Sequence, residues 1–374
     1  MTSNVTMNQT RFLMDCPSPP HRAVAGALRL ALTGDLAPGV EDDCAKTDPM
    51  AFAEIAQSHF VDTALAPAFV QNSPLRLYFP DDLALFFKEM AAANGRRNER
   101  LKAQLEMIGA AFARDGVAGV ALKGATELLD PWWRAPSGRY LSDLDLLVSE
   151  NVASRASKLL TSLGAEQPNT DDGPSDHHHL PPFLAPNWEA MVELHIHVGD
   201  PSIAAHLPEA RILNEASPSH LPGILLPKPE DRLMHLLLHA PKGGFGAKGK
   251  RLYLREIANI WAAQEHLGEA ALNEVEDKIA AHDEPGKALP YGELVDAILG
   301  ARQRPSSRAA RSALKRFGRP EQDSRRETLT WGYYYLKQAL TDKTRRSEYL
   351  AKVTRKGGLK ALRAFHRRRR NMTR

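Results

Sequence analysis

Cysteine and long apolar runs are scarce in this chain. Only Cys16 and Cys44 occur among its 374 residues, which excludes a disulfide framework and predicts reduced thiols. No run approaches the roughly 18 apolar residues of a membrane-crossing helix, and the N-terminus lacks the basic and then apolar pattern of a secretory signal. The expected location is therefore the cytoplasm.

The composition is that of a globular protein with an uneven charge. Hydrophobic residues make up 43% and charged residues 25% of the chain, which are ordinary values, and the length predicts two or three domains. Residues 301–374 hold 23 Lys and Arg against 5 Asp and Glu, a net +18 within an overall +4, which leaves −14 for residues 1–300. The basic character belongs to the C-terminal part alone.

The central motif is an Asp-x-Asp pair at the start of an apolar run. On a strand, Asp143 and Asp145 project from one face while Leu144 and Leu146 point to the other. Two ionised carboxylates side by side repel each other, so the pair favours a hard divalent cation such as Mg²⁺ between them. The alternative is a solvated strand edge with both acids on its wet face.

Two other segments carry groups that suit the same chemistry. An apolar run ends in Lys123-Gly124 before a short helix, where a glycine lets backbone N–H groups approach a phosphate. An ordinary turn glycine is the alternative. Downstream, residues 191–198 alternate strictly, so one face of a half-buried strand carries Glu193 and two histidines, His195 among them.

In this order, the motifs resemble those of a known family. The chain resembles the uncharacterised bacterial nucleotidyltransferase family, a branch of the DNA polymerase beta-like nucleotidyltransferase superfamily, from about residue 21 to about residue 265. The likeness includes a helical lead-in and Leu-rich trailing helices. The matching positions are Lys123-Gly124, Arg139, Asp143, Asp145 with the Leu-Leu-Val that follows it, and Val192-Glu193-Leu194-His195.

This resemblance implies a fold and an activity. The expected fold class is α+β or α/β, with a small mixed-sheet nucleotidyltransferase core of the polymerase beta type embedded between helical N- and C-terminal regions. The implied activity is Mg²⁺-dependent transfer of a nucleoside monophosphate from an NTP, with ATP expected, to a hydroxyl acceptor, releasing pyrophosphate. The sequence does not say whether the acceptor is a small molecule, a protein or RNA.

The resemblance also implies catalytic and metal-binding residues. Asp143 and Asp145 are expected to bind two Mg²⁺ ions, with Glu193 completing the site or serving instead as the general base. In the trailing helix, where the family tends to carry an Asp, this chain has Glu256. The longer side chain predicts an altered supporting contact.

Nucleotide- and phosphate-binding roles are implied for four further residues. Gly124 would form the turn that receives the triphosphate, and Lys123 and Arg139 would neutralise phosphate charge. His195 would contact phosphate or orient a neighbour, with a satisfied, partly buried histidine as the alternative. Ala125 stands where a second Gly or Ser is usual in the superfamily.

The helical periods and the composition, together with the core that the resemblance implies, predict five regions. They are a disordered N-terminus (1–20), a helical lead-in (21–115), the nucleotidyltransferase core (116–200), a helical region with a Gly- and Lys-rich loop (201–284), and a basic helical extension and tail (285–374). The basic tail could contact RNA or an anionic membrane surface, or have no partner.

Three features leave alternatives open. Trp132 and Trp133 could stack on a base, although packing is commoner for tryptophan. The run His177-His178-His179 has no accompanying cysteine for a zinc site, so contacts with phosphate or acceptor, or simple exposure, are favoured. The loop at 241–251 could close over a polyanion or serve as a connector.

A non-catalytic module that binds nucleotide or RNA with the same fold is the alternative function. The presence of all three expected carboxylates, Asp143, Asp145 and Glu193, argues for the enzyme.

Overall fold

A computed structural model describes residues 12–167, 179–240, 252–282, 290–300 and 305–317. All of them belong to one of the two compact units into which the chain divides. Outside the described residues lie His177 and His178, the Gly- and Lys-rich loop, and the basic tail.

A helical region precedes the sheet. Its helices are α1 (Pro19–Thr33), α2 (Val40–Cys44), α3 (Pro49–Ser58) and α4 (Asp81–Arg114). The Asp48 side chain accepts hydrogen bonds from Met50 N and Ala51 N and so caps α3. Helix α1 ends at Gly34, whose φ of +83° suits a left-handed cap.

Residues 12–20 are the described part of the N-terminal region for which the sequence predicted disorder. Phe12 and Leu13 are each 1% exposed and lie in the core, and the Phe12 N–H donates to the carbonyl oxygen of Pro38 at 3.2 Å. Nearby, the buried Arg22 guanidinium holds Asp43 at 2.7 Å. The Pro-rich composition that predicted disorder was outweighed from residue 12 onward by apolar contacts with residues distant in sequence.

Both cysteines are buried and free. Burial, together with the neighbouring acid Asp43, raises the pKa of the Cys44 thiol to about 12. Burial also raises the pKa of Cys16, to about 11, although a backbone hydrogen bond from Ser18 lowers it slightly. Both groups are therefore weak nucleophiles at neutral pH.

One mixed sheet of five strands forms the centre of the described unit. In spatial order the strands are β3 (Met191–His195), β2 (Asp143–Leu147), β1 (Gly119–Leu122), β5 (Ile224–Leu226) and β4 (Ser217–Pro218). Strand β2 runs parallel to β3 and antiparallel to β1. The predicted fold class, a small mixed sheet between helical regions, is confirmed.

Nine further helices are described after β1. They are α5 (Lys123–Glu127), α6 (Glu150–Ser162), α7 (Pro201–Ala204), α8 (Glu209–Glu215), α9 (Pro229–His239), α10 (Leu254–Leu267), α11 (Glu269–His282), α12 (Tyr291–Ile298) and α13 (Arg308–Phe317). None of the described helices is long and apolar enough to cross a membrane.

The two faces of the sheet belong to different apolar clusters. On one face, alternate residues of β2 and β3 pack with the C-terminal half of α4: Leu144, Leu146, Val192 and Leu194 with Leu101, Leu105, Ile108 and Phe112. On the other face, Val120, Leu122 and Leu147 belong to the cluster that contains the apolar residues of α9 and α10. Because side chains alternate along a strand, the Asp143 and Asp145 side chains lie on this second face.

The turn before β5 passes very close to α4. Gly223 has a φ of +75°, and a Cβ there would lie 2.3 Å from the carbonyl oxygen of Gly109 and 2.8 Å from Ala113 N. Gly116 also has a positive φ, +61°, but a Cβ there would meet nothing within 4 Å. We therefore expect Gly223→Ala to lower the free energy of unfolding by roughly 3 kcal/mol and Gly116→Ala by about 1 kcal/mol. Urea unfolding measures both, and equal losses would contradict the steric argument.

Candidate metal and phosphate site

The parallel pairing of β2 with β3 brings two carboxylates to the same level of the sheet. Asp145 pairs with Glu193 in register, and Leu147 pairs with His195. Asp145 is 1% exposed and His195 is fully buried, while the Glu193 side chain is 16% exposed. The group therefore faces inward, with Glu193 as its most accessible member.

Lys123 and His195 both bind the same oxygen of Asp145. Lys123 Nζ donates to Asp145 Oδ1 at 2.8 Å, and His195 Nε2 lies 2.7 Å from that atom. Lys123 directly follows β1, where Leu122 pairs with Asp145. Its φ of +47° is a left-handed conformation that non-glycine residues adopt rarely and often at functional sites.

Burial and charge act against each other in this group. Burial would raise the pKa of Asp145, but Lys123 and His195 outweigh it and hold that pKa well below its ordinary value. Burial would lower the pKa of His195, but its contacts with Asp145 and Glu193 raise it. Burial would also lower the pKa of Lys123, but the charges of Asp145 and Asp143 raise it. Lys123 and His195 thus favour the ionised form of the buried aspartate.

Three side chains form a compact donor group that could hold a metal ion. Asp145, Glu193 and His195 each offer one ligand atom, and these atoms all lie within 4.8 Å of one another. The second carboxylate oxygen of Asp145, Oδ2, is buried and makes no hydrogen bond to a described residue. A buried carboxylate oxygen without a donor is an open ligand position. The carboxylates of Asp145 and Glu193 supply the oxygen ligands that Mg²⁺ prefers, so the residues present fit the metal that the sequence motif implies.

Asp143 lies beside this compact group and is not one of its three members. It shares the strand face of Asp145, and its Oδ1 accepts a hydrogen bond from Ser142 Oγ at 2.9 Å. Burial, and then repulsion from Asp145, raise the pKa of Asp143 to about 6, against the opposing effect of Lys123. A positive charge added beside this carboxylate would lower its pKa and stabilise its ionised form.

His179 is a member of the site that the sequence did not single out from its two neighbours. A β-bridge joins it to His195, the two ring centroids are 5.3 Å apart, and its Nε2 lies 3.8 Å from Glu193 Oε2. The three-histidine run showed only that one of them could reach the site. Which one pairs with β3 is decided by a strand register that the sequence does not reveal.

Gly124 and Ala125 lie in α5 and are tightly packed. A Cβ at Gly124 would lie 2.9 Å from a methyl carbon of Leu141, and Ala125 is fully buried. Packing alone therefore accounts for a glycine at this position. Its role in receiving a triphosphate stays a prediction.

Arg139 lies among basic and acidic side chains different from those around Asp145. Burial and the nearby charge of Arg255 lower the pKa of Arg139, while Glu256 and Glu127 raise it. Its backbone is fixed by the buried Asn94, whose Nδ2 donates to the Arg139 carbonyl oxygen at 2.9 Å. The structure thus separates Arg139 from the group formed by the other polar site residues.

The two tryptophans are packing residues. Trp132 and Trp133 are 6% and 5% exposed, and the Arg232 guanidinium lies 3.6 Å from the Trp132 ring centroid. Trp133 Nε1 donates to Asn259 Oδ1 at 3.1 Å. Neither ring presents a free face for a nucleobase, so the packing alternative is the one observed.

Glu256 supports Arg255 from within α10. Burial would raise the pKa of Glu256, but the guanidiniums of Arg255 and Arg139 outweigh it and lower the pKa from 4.5 to about 2. Arg255 Nη2 donates to Glu256 Oε1 at 2.7 Å, and Asn259 Nδ2 donates to Oε2 at 3.1 Å. The structure thus shows what the longer acid at this position contacts.

This depressed pKa predicts a pH-dependent loss of stability in Glu256→Gln. Because the folded-state pKa lies below the unfolded value, the ionised carboxylate stabilises the fold above pH 4.5, and that contribution is lost as the pH falls from 4.5 toward 2. At pH 7 the variant should be less stable by up to about 3 kcal/mol. The difference should shrink steadily below pH 4.5 in urea unfolding. A difference that stays constant from pH 7 to pH 3 would contradict the ion pair.

Comparison with known proteins gives one match. A family model described as an uncharacterised nucleotidyltransferase matches residues 45–283, well over half of the chain, and this span includes every described member of the site. Searches of curated proteins and of solved structures each found no match.

Proposed function

Because the chain belongs to this family of uncharacterised nucleotidyltransferases, we propose that it transfers a nucleoside monophosphate from an NTP to a hydroxyl acceptor. The observation that supports this most is the convergence of Asp145, Glu193 and His195, whose ligand atoms lie within 4.8 Å of one another. The Oδ2 atom of Asp145 is buried there and makes no hydrogen bond to a described residue. ATP as donor, Mg²⁺ as the metal in two sites, and the cytoplasm as location are parts of the same proposal.

Each residue of the group has a distinct task. Asp145 and Glu193, with Asp143 beside them, would hold the divalent ions, and His195 orients the Asp145 carboxylate through its 2.7 Å contact. Bound divalent ions lower the pKa of the acceptor hydroxyl and shield the charge of the triphosphate. Glu193 is the most accessible of the three and can alternatively take the acceptor proton.

The reaction exchanges one bond at phosphorus for another. The acceptor oxygen bonds to the α-phosphorus, and its proton passes to Glu193 or to water. The bond from the α-phosphorus to the bridging oxygen breaks, and its electron pair leaves with pyrophosphate. Lys123 donates to Asp145 at 2.8 Å and so lies next to the carboxylates. Its charge would neutralise the negative charge that the phosphate carries in the transition state.

The experiment is incubation of the purified chain with each α-labelled NTP and Mg²⁺, with a panel of RNA, protein and small hydroxyl acceptors. We expect pyrophosphate release and transfer of label for at least one pair. Nucleotide binding without turnover across the panel would favour a non-catalytic binding module. The absence of both nucleotide binding and turnover would contradict the proposal.

A further inference from the structure

A second group of charged side chains lies between the segment before β2 and the start of α10. It contains three arginines, Arg139, Arg232 and Arg255, and two buried or nearly buried acids, Glu127 and Glu256. We call these five residues the arginine cluster. None of them belongs to the donor group around Asp145.

Two of the arginines have their own acids. Arg232 forms an ion pair with Glu127 and also donates to the carbonyl oxygen of Asp130 at 2.8 Å. Arg255 donates through Nε and Nη2 to a single oxygen of Glu256, at 3.1 and 2.7 Å. This arrangement leaves the Nη1 edge of Arg255 without a hydrogen bond to a described residue.

Arg139 has no acid of its own among the described residues. Its one hydrogen bond, from Nη1, is long, at 3.4 Å to the carbonyl oxygen of Tyr140, and its Nε is buried without a partner in the described part of the chain. Arg139 is half-buried, and a partly buried guanidinium that has no counter-anion favours the binding of an anion.

The Arg139 backbone and the Arg255 side chain are held in place before any ligand arrives. The Arg139 carbonyl oxygen accepts hydrogen bonds from the side chains of the buried Asn94 and Asn98, at 2.9 and 3.0 Å. The Arg255 guanidinium lies over the ring of Phe60, 4.7 Å from its centroid. A side chain fixed in this way, as Arg255 is, loses little entropy on binding a ligand.

A chain of hydrogen bonds joins the two sides of the cluster. Trp133, in the segment that leads to Arg139, donates to Asn259 at 3.1 Å, and Asn259 donates to Glu256 at 3.1 Å. Glu256 in turn holds Arg255. Burial and then the charge of Arg255 lower the pKa of Arg139.

Helix α5 connects the cluster with the metal-binding group. Its first residue, Lys123, donates to Asp145 Oδ1 at 2.8 Å, and its last residue, Glu127, forms the ion pair with Arg232. The two groups therefore lie about one turn of this helix apart. An NTP whose α-phosphate is at Asp145 could thus extend its remaining phosphates toward the arginines.

We propose that Arg139 and Arg255 form a binding subsite for the terminal diphosphate of the nucleotide, and for the pyrophosphate that leaves, with Glu256 as the residue that positions Arg255. This inference rests on the proposed function and adds to it a second subsite and a residue, Arg255, that no motif assigned. Planar guanidiniums bind phosphate oxygens in pairs, which suits a diphosphate better than a monophosphate.

The test is isothermal titration of the full chain with inorganic pyrophosphate and, separately, with AMP, both in buffer with EDTA so that only side chains supply positive charge. Arg139→Ala and Arg255→Ala should each weaken pyrophosphate binding 10- to 100-fold and change AMP binding less than 3-fold. Arg139→Lys should restore part of the affinity, because it keeps the charge and loses the paired geometry.

The matched control is Arg134→Ala, which removes an arginine from the same segment whose side chain is 70% exposed. Near-UV circular dichroism checks folding, and Arg139→Gln and Arg255→Gln replace any alanine variant that fails it. Pyrophosphate binding that is absent in the wild type, or that falls no further in the cluster variants than in Arg134→Ala, would overturn the proposal. Asp145→Asn separates the two proposals, since it should stop transfer and leave metal-free pyrophosphate binding intact.

Discussion

Asp145→Asn should reduce pyrophosphate release on the order of 10³-fold or more. The substitution keeps the size of the side chain but removes the charge that Lys123 and His195 hold at 2.8 and 2.7 Å. It also replaces one carboxylate oxygen by an amide nitrogen, which cannot bind a cation. Since the remaining donors are Glu193 and His195, too few ligands converge to hold an ion tightly.

The measurement is the rate of pyrophosphate release at saturating NTP and Mg²⁺. Glu150→Gln is the matched control, because it removes the same charge from an exposed position at the start of α6 and should leave the rate within about 2-fold. Turnover by Asp145→Asn within 10-fold of the wild type would show that the chemistry does not use this carboxylate.

Lys123→Met should destabilise the metal-free protein by roughly 3 kcal/mol. Lys123 Nζ is the lysine donor on Asp145 Oδ1, and its removal leaves a buried carboxylate with less positive charge around it. Breaking a buried pair by deleting one partner typically costs about 3–5 kcal/mol, and the 21% exposure of the Lys123 side chain reduces that figure. A divalent cation at Asp145 should replace the lost charge, so the deficit should shrink in millimolar Mg²⁺.

Urea unfolding in EDTA and in Mg²⁺ tests both parts of this expectation. Lys158→Met, an exposed lysine on α6, is the control and should cost less than about 0.5 kcal/mol in either buffer. A Lys123→Met deficit that is the same with and without Mg²⁺ would mean that the ammonium and the metal ion do not serve the same carboxylate.

The strand period was enough to predict which polar side chains share a face of each strand. Alternation placed Asp143 and Asp145 on one face of β2, and Glu193 with His195 on one face of β3. The parallel register then set Asp145 opposite Glu193. Local sequence carries this information because a strand has a fixed period of two.

Contacts between distant segments could not be predicted in the same way. The bond from Trp133 to Asn259 joins residues 126 positions apart, and the neighbours of Arg139 come from α5, α9 and α10. Whether Asp143 belongs to the compact donor group depends on differences of a few ångström in side-chain position. The order at Phe12 and Leu13 likewise depends on apolar partners far along the chain.

The central claim is that Asp145 and Glu193, with Asp143 beside them and His195 orienting Asp145, hold a divalent cation. Electron paramagnetic resonance of Mn²⁺, as a spectroscopic substitute for Mg²⁺, tests it most directly. Titration of the wild type should show bound Mn²⁺ at stoichiometric level, with at least 10-fold weaker binding in both Asp145→Asn and Glu193→Gln. Wild-type protein that leaves the added Mn²⁺ free in solution, or variants that bind it as tightly as the wild type, would contradict the claim.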